Sequence, residues 1–368
     1  MSATTAPRRV LAALAALPLL LLAGCGYGSR ATDESAAKIA PQAHKTDGLD
    51  SVMIGYFGNV THATALVGNR KGFFQKELGA TEAKYAVFNA GPSEIEALNA
   101  GSVDIGWIGP SPAINGYTKS GGTSLRIVGG SASGGVRLVV NPDRITSVRD
   151  VEGKRIATPQ LGNTQDVAFL HWAAGQGWKI SPMTGRGDVT LVRSDNKVTP
   201  DAFRAGAIDG AWVPEPTASK LVAEGGRVLL DEASLWPHGR FATTNIVVSQ
   251  KFLKAHPKAV EAVLRASVET NRWIRAHPAQ AMAAANEQIG RDTGKALPAE
   301  VMGPAWKSLQ VTDDPLAATL AAQADHAVRA GLLERPDLRG IYDLTLLDKV
   351  LAAEGEAAVD DAGLGVRR

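Results

Sequence analysis

The sequence predicts an α/β protein of two successive lobes with a cleft between them and a helical C-terminal segment. Three observations lead there. Short apolar runs alternate with helical stretches of about ten residues. The same alternation restarts after Arg137-Leu-Val-Val140, and beyond Asn245-Ile-Val-Val248 the pattern turns almost wholly helical.

In the first lobe Ser51–Phe57 reads as a strand and Ala63–Phe74 as a helix. Glu82–Phe88 is a strand, Ser93–Ala100 a helix with Ser93 as N-cap, and Val103–Ile108 a strand. A helix follows from about Ser111-Pro112, then a strand at Leu125–Val128. In the second lobe Lys154–Ala157, Val189–Val192, Ile208–Trp212 and Arg227–Leu230 are strands. Helices at Asn163–Ala174, Asp201–Arg204 and Glu215–Glu224 separate them. His256-Pro257 and His277-Pro278 each open a helix, because proline is well tolerated in a first helical turn. Strands spaced by helices imply parallel sheets.

The N-terminus is of another kind. Arg8-Arg9, an apolar run from Val10 to Leu22 and Leu22-Ala-Gly-Cys25 form a signal peptide over residues 1–24 with a lipobox at its end. That run is shorter than the roughly 20 residues a spanning helix needs. Proteins with this pattern carry a diacylglyceryl group and an acyl chain such as palmitate on the cysteine, so Cys25 is expected to be lipidated. Two or more chains anchor stably where one does not. Residues 25–50 are small, polar and aperiodic, a flexible spacer. Removing the leader takes away two arginines and no acid, so the formal charge of +2 falls to about zero. Charge therefore gives no reason to expect nucleic acid. Cys25 is the one cysteine, which leaves no disulfide, thiol metal site or thiol nucleophile.

In parallel sheets, ligands sit beyond the C-terminal strand ends, where helix N-termini point. Four turns there are rich in small and hydroxyl residues, Gly58–His62, Gly109–Pro112, Gly129–Gly135 and Pro159–Gln165, and the last strand-to-helix turn of the second lobe is Trp212–Pro216. Helix N-termini present free amides and about half a positive charge, a seat for an oxyanion.

At these turns the chain resembles the substrate-binding proteins of ABC importers for sulfonates, taurine and nitrate. The segments are Leu98–Ala113, Gly153–Pro159, Phe203–Pro216 and Ala242–Val248. The resemblance implies a type II periplasmic-binding fold. Lobe 1 would comprise residues 51–133 and 244–355 and lobe 2 residues 134–243, joined by crossing strands, with a disordered tail at 356–368. It also implies a monomer that closes over a small anionic ligand and delivers it to a permease with its ATPase, extracytoplasmic and held to the cell membrane through Cys25. No cofactor and no metal is implied. Family site positions fall at Asn59, Thr61 and His62, at Ser111, and at Ser131 and Ser133. In lobe 2 they fall at Gln160, Leu161, Asn163, Thr164, Gln165, Trp212 and Glu215. Ser111, Thr164 and nearby amides are expected to hold the oxyanion, with Trp212 and Leu161 flanking an organic tail. Where the taurine-type pattern has a glutamate, this chain has Val136 followed by Arg137. An alkyl- or arylsulfonate is therefore favoured over taurine, nitrate or another organic anion or heterocycle.

For each candidate a purely structural role stands beside the ligand role. Trp212 reads equally as a core residue, His62 as a helix cap and Glu215 as a helix-start residue. Asp166 and Glu215 are alternatives for an ammonium partner, Arg137 and Arg240 for an anion partner. A catalytic protein is the rival class. The seven histidines have no metal-ligand spacing, and no Gly-x-Ser-x-Gly elbow, P-loop or dinucleotide fingerprint occurs. Enzymes of thiamine-pyrimidine synthesis share a related fold but carry a cysteine-rich motif absent here. A sensor lobe is the remaining alternative.

Overall fold

A computed structural model describes residues 44–367. The leader and Cys25 lie outside the described residues. In chain order the first part comprises β1 (Ser51–Phe57), α1 (Ala63–Lys71), α2 (Phe73–Leu78), β2 (Glu82–Phe88), α3 (Gly91–Asn99), β3 (Ile105–Ile108), α4 (Pro110–Lys119) and β4 (Leu125–Gly134). The second comprises β5 (Val136–Val140), β6 (Arg155–Thr158), α5 (Thr164–Gly175), β7 (Thr190–Arg193), α6 (Thr199–Arg204), β8 (Gly210–Pro214), α7 (Thr217–Ala223) and β9 (Arg227–Asp231). The chain then returns through β10 (Ala242–Ser249), α8 (Gln250–Ala255), α9 (Pro257–Ala276), α10 (Pro278–Thr293), α11 (Ala299–Lys307), β11 (Leu309–Val311), α12 (Ala317–Arg329) and α13 (Thr345–Ala353).

These strands make two sheets, one per lobe. The first has six strands in the order β11-β4-β10-β3-β1-β2, the second five in the order β7-β6-β8-β5-β9. Each is built alike. β1 runs parallel to β2 and β3, and β6 parallel to β7 and β8. One antiparallel strand arriving from the other lobe, β10 or β5, is then inserted before the fourth. The first crossing passes from β4 through Gly135 into β5. The second runs through two single turns at 232–235 and 237–239 before β10 begins, so it is not a strand throughout.

Both lobes have their own core. In lobe 1 Trp107 lies edge-on to Phe74 at 5.3 Å, beneath the buried faces of α1, α2 and α9. In lobe 2 β8 alternates: Trp212 joins Phe169 and Trp172 on one face, while Ala211 and Val213 join Phe203 and Leu221 on the other. The C-terminal helices also touch lobe 2, α11 on α7 and α12 on α5.

Several expectations change at element ends. α3 starts at Gly91 with Ala90 as its N-cap, so Ser93 lies inside the first turn. The predicted 63–74 helix breaks at Gly72 into α1 and α2. Residues 45–50, expected as spacer, pack on lobe 1. Lys45 pairs with Gly79, and the Ala259 amide donates to the Asp47 carboxylate at 3.0 Å. The expected disordered tail is instead laid along the fold. Gly365 pairs with Tyr342, and the Val366 amide donates to the Tyr342 carbonyl at 2.9 Å.

Candidate functional site

Four of these five strand-end turns converge between the lobes. Asn59, Thr61, His62 and Gly109 from lobe 1 face Asn163, Thr164, Gln165 and Pro214 from lobe 2 across an inner cavity of about 20 Å³. That is room for roughly one water. Each turn follows a parallel strand, β1, β3, β6 or β8, so strand direction alone brings them together.

Helix ends dominate the site. The Ser111 amide at the start of α4 donates to Thr164 Oγ1 at 3.4 Å. Two helix N-termini therefore meet nearly head to head, and their partial positive charges oppose one another. A β-carbon on Gly109 would lie 2.4 Å from Thr164 Oγ1, so glycine is what lets α5 come this close. Pro110 and Pro112 carry no amide hydrogen, which leaves Ser111 as the donor of the first turn of α4. On α5 the amides of Thr164 and Gln165 stand in the first turn, where the helix offers them no acceptor.

The side chains around these ends are neutral. His62 Nδ1 accepts from the Phe57 amide at 3.3 Å, and its ring stacks on Phe57 at 4.3 Å. An accepting Nδ1 puts the proton on Nε2, which makes this ring a donor. Burial pushes the imidazole down to about 3, so it is uncharged at neutral pH. Asn163 Nδ2 donates to Gln165 Oε1 at 3.3 Å. No Asp, Glu, Lys or Arg lines the inner cavity among the described residues. The arrangement suits an anion, solvated by dipoles in place of a counter-charge.

Other candidates sit elsewhere. Gly129–Gly134 is part of strand β4, with Gly135 just beyond it, and Gly130 serves packing, since a β-carbon there would lie 2.2 Å from the Asp314 carbonyl oxygen. Ser131 Oγ donates to Thr64 Oγ1 at 3.2 Å in a buried chain that continues through Asn271 to Asp313. Ser133 Oγ accepts from the Phe241 amide at 3.2 Å. Neither lines the inner cavity. Gln160 turns the chain by accepting the Asn163 amide on its carbonyl at 3.0 Å. Trp212 is fully buried in lobe 2 and donates to Glu232 at 2.7 Å, so it does not flank the cavity. Its strand runs two residues further than the sequence reading, to Pro214, which places the indole inside the sheet.

The charged alternatives are already satisfied. Glu215 accepts from Arg137 at 3.0 Å and from the Ser219 amide at 2.9 Å. Arg137 also reaches Asp231 at 3.1 Å. Asp166 accepts from Thr158 and Arg193 at 2.7 and 3.0 Å. Arg240 lies 3.9 Å from Asp314, outside the inner cavity. Ser111 and Leu161 line a different pocket of about 230 Å³.

The sequence reading missed Asn89, Asn196, Thr243 and Thr244, which complete the wall. Asn196 Oδ1 is buried without a hydrogen-bond partner. Asn89 and Asn196 follow β2 and β7, so the strand-end rule that found the other turns reaches them too. Thr244 Oγ1 donates to the Thr61 carbonyl at 3.0 Å, tying β10 to the first turn.

Comparison with known proteins agrees with this architecture. The taurine-binding periplasmic protein of Escherichia coli is 29% identical over 214 residues, 58% of this chain and 64% of that protein, so the chain spans just under two thirds of that relative. A putative aliphatic sulfonates-binding protein of Bacillus subtilis is 24% identical over 90% of this chain and 94% of its own length. Among solved structures, the alkanesulfonate-binding protein SsuA of Xanthomonas axonopodis pv. citri, bound to MOPS, superposes with a TM-score of 0.64 at 23% identity. It covers 78% of this chain and 96% of its own. The nitrate-binding protein NrtA of Synechocystis gives 0.69 at 15% identity over 83% and 89%. A family model described as the NMT1-like family matches residues 46–288, about two thirds of the sequence. With two lobes of matching strand order and this match across both, the chain belongs to the NMT1-like family and has the type II periplasmic-binding fold.

Proposed function

We propose that this protein is the solute-binding component of an ABC importer and captures a sulfonate between its lobes. One observation carries the reading. The N-termini of α4 and α5 meet at the wall of a cavity lined by neutral donors. With the lobes parted beyond this one-water space, an oxyanion between the two helix ends would relieve their repulsion, replace Thr164 Oγ1 as acceptor for the Ser111 amide, and accept from the Thr164 and Gln165 amides. Charge-assisted hydrogen bonds contribute about 1.5–3 kcal/mol each. Four or five, less ordering costs, reach the roughly 8 kcal/mol of a micromolar binder.

The steps follow from which lobe holds which donor. An open form receives the anion on one lobe, and closure brings the other lobe's amides to it. The ligand shifts this equilibrium because the closed form alone offers both sets. His62 is an uncharged donor at neutral pH, and the relatives named as binding proteins support a reading of capture without catalysis. Lipidation at Cys25 would hold the protein outside the membrane beside its permease. Replacing Cys25 by serine should move it from the membrane to the soluble extracytoplasmic fraction; retention on the membrane would remove the anchor from the scheme.

An alkyl- or arylsulfonate is favoured over taurine because Asp166 and Glu215 already bind Arg193 and Arg137. A buried ammonium without a partner is costly. Taurine remains the second reading, motivated by the 29% identical relative. A thermal-shift panel tests both with alkylsulfonates, arylsulfonates, taurine, nitrate, bicarbonate and pyrimidines. Ligand at a hundredfold excess over its Kd stabilises by about 2.7 kcal/mol. Sulfonates should raise the melting temperature by several degrees, and stabilisation by pyrimidines alone would contradict the reading.

A further inference from the structure

A space of about 620 Å³ between the lobes opens off the inner cavity, because Asn59, Asn89 and Asn196 line both. The pocket at Ser111 and Leu161 shares no wall residue with that cavity. Whatever part of a ligand extends past the anion seat therefore enters the larger space. Val87, Phe88, Leu297 and Val301 give it an apolar wall that suits a short hydrocarbon body. Its charged groups decide what the far end of that body can be.

The carboxylates in this wall are nearly all engaged. Arg204 binds Asp201 at 2.8 Å and also holds Glu224. Asp195 accepts from the Lys197 amide at 2.8 Å, and Asp292 from Tyr56 and Gln288 at 3.0 and 2.8 Å. Glu300 is the exception, exposed in the first turn of α11 where the helix end favours it. The lysines are the reverse. None of the ammonium groups of Lys197, Lys220 and Lys295 makes a hydrogen bond or ion pair among the described residues. Lys220 belongs to α7 of lobe 2, whereas Lys295 follows α10, which packs on α1 of lobe 1. Lys220 is half-buried, and burial lowers its ammonium; Glu224 favours the charge and Lys295 opposes it. Two like charges from opposite sides of the cleft thus act on each other across this space, and an anion between them would turn repulsion into attraction.

We propose that the bound sulfonate carries a carboxylate at its far end, seated between Lys220 and Lys295 with the hydrocarbon body in the space that leads there. The inference rests on the functional reading above and names its substrate class, a sulfonate with a terminal carboxylate. Such a dianion is gripped at both ends by groups from both lobes, which a simple alkylsulfonate is not. An ammonium in the same place would meet two cations.

Calorimetric titration with methanesulfonate and a series of straight-chain sulfonates ending in carboxylate, carboxamide or ammonium tests this. At the chain length that reaches the lysines, the carboxylate should bind about tenfold or more tighter than its carboxamide, because a charged hydrogen-bond partner contributes that much more than a neutral one. The ammonium should bind no tighter than the carboxamide. Lys220→Gln should bring the carboxylate-to-carboxamide ratio close to one, and Lys295→Gln, at an exposed position, should cut it severalfold. Each ratio is taken within one variant, so a loss common to both ligands cancels. Lys119→Gln, in the pocket at Ser111 and Leu161, should preserve the wild-type ratio. Equal affinity of carboxylate and carboxamide at every length, or tightest binding by the ammonium series, overturns the inference and leaves the functional reading standing. So does a ratio kept in either Lys220→Gln or Lys295→Gln, or one lost in Lys119→Gln. Failure of every sulfonate to bind, methanesulfonate included, overturns the functional reading, and this inference with it.

Discussion

At Gly109 a β-carbon would sit 2.4 Å from Thr164 Oγ1, and the two residues belong to different lobes. Gly109→Ala should therefore act on closure more than on folding. Overpacking of this kind costs about 1–3 kcal/mol, so sulfonate affinity should fall about tenfold or more while the unliganded unfolding midpoint changes little. Glu94 makes a different case. Its carboxyl is fully buried under Gly55 and Gly106, neither oxygen has a partner, and burial raises it well above the usual carboxylate range. It is neutral in the fold, so its contribution is complete below the ordinary value and is lost as pH rises. Glu94→Gln should match the wild type near pH 4.5 and exceed its stability at pH 8. Denaturant melts at the two pH values read this, and an equal gap at both would refute a buried neutral acid.

Helices α5 and α12 meet through stacked rings, His171 on His326 at 3.7 Å, with Trp236 tilted against His326 at 5.3 Å. Burial lowers both imidazoles first, and Arg329 adds to it; Asp325 opposes for His326, which stands at about 4. Depressed values mean that the unfolded chain takes up protons first, so stability is lost as pH falls from about 6.5 toward 4. Glu232, raised by burial to about 7, works in the opposite sense between about 4.5 and 7. The histidine contribution is thus read as a difference: His326→Phe should lose less stability than the wild type between pH 6.5 and 4, by of order 1–2 kcal/mol. Legibility in the sequence follows the same scale. Most strands and the two His-Pro helices were readable because apolar period and proline position are local signals, whereas the three-residue β11 was not. The turns after β1, β3 and β6 were readable because strand direction fixes where they point. Trp212 was misplaced because a strand end two residues off turns a cavity wall into core. Ser131 and Ser133 were misplaced because glycine and serine also allow close packing of a strand against a loop, which only the 313–315 segment reveals.

Across the whole molecule, two lobes of the same strand order bring one helix end each to a shared seat, and the proposed closure would be the event that joins them. Small-angle scattering should show compaction on adding methanesulfonate; an unchanged radius of gyration would contradict hinge closure. Because His62 stands at about 3 and no ionisable carboxylate or cation lines the inner cavity among the described residues, sulfonate affinity should be flat from pH 5 to 8. The most direct measurement compares methanesulfonate with dimethyl sulfone, a neutral molecule of similar shape, by calorimetric titration. A seat of converging helix dipoles and neutral donors binds the sulfonate and leaves the sulfone unbound. Comparable binding of the two would contradict it.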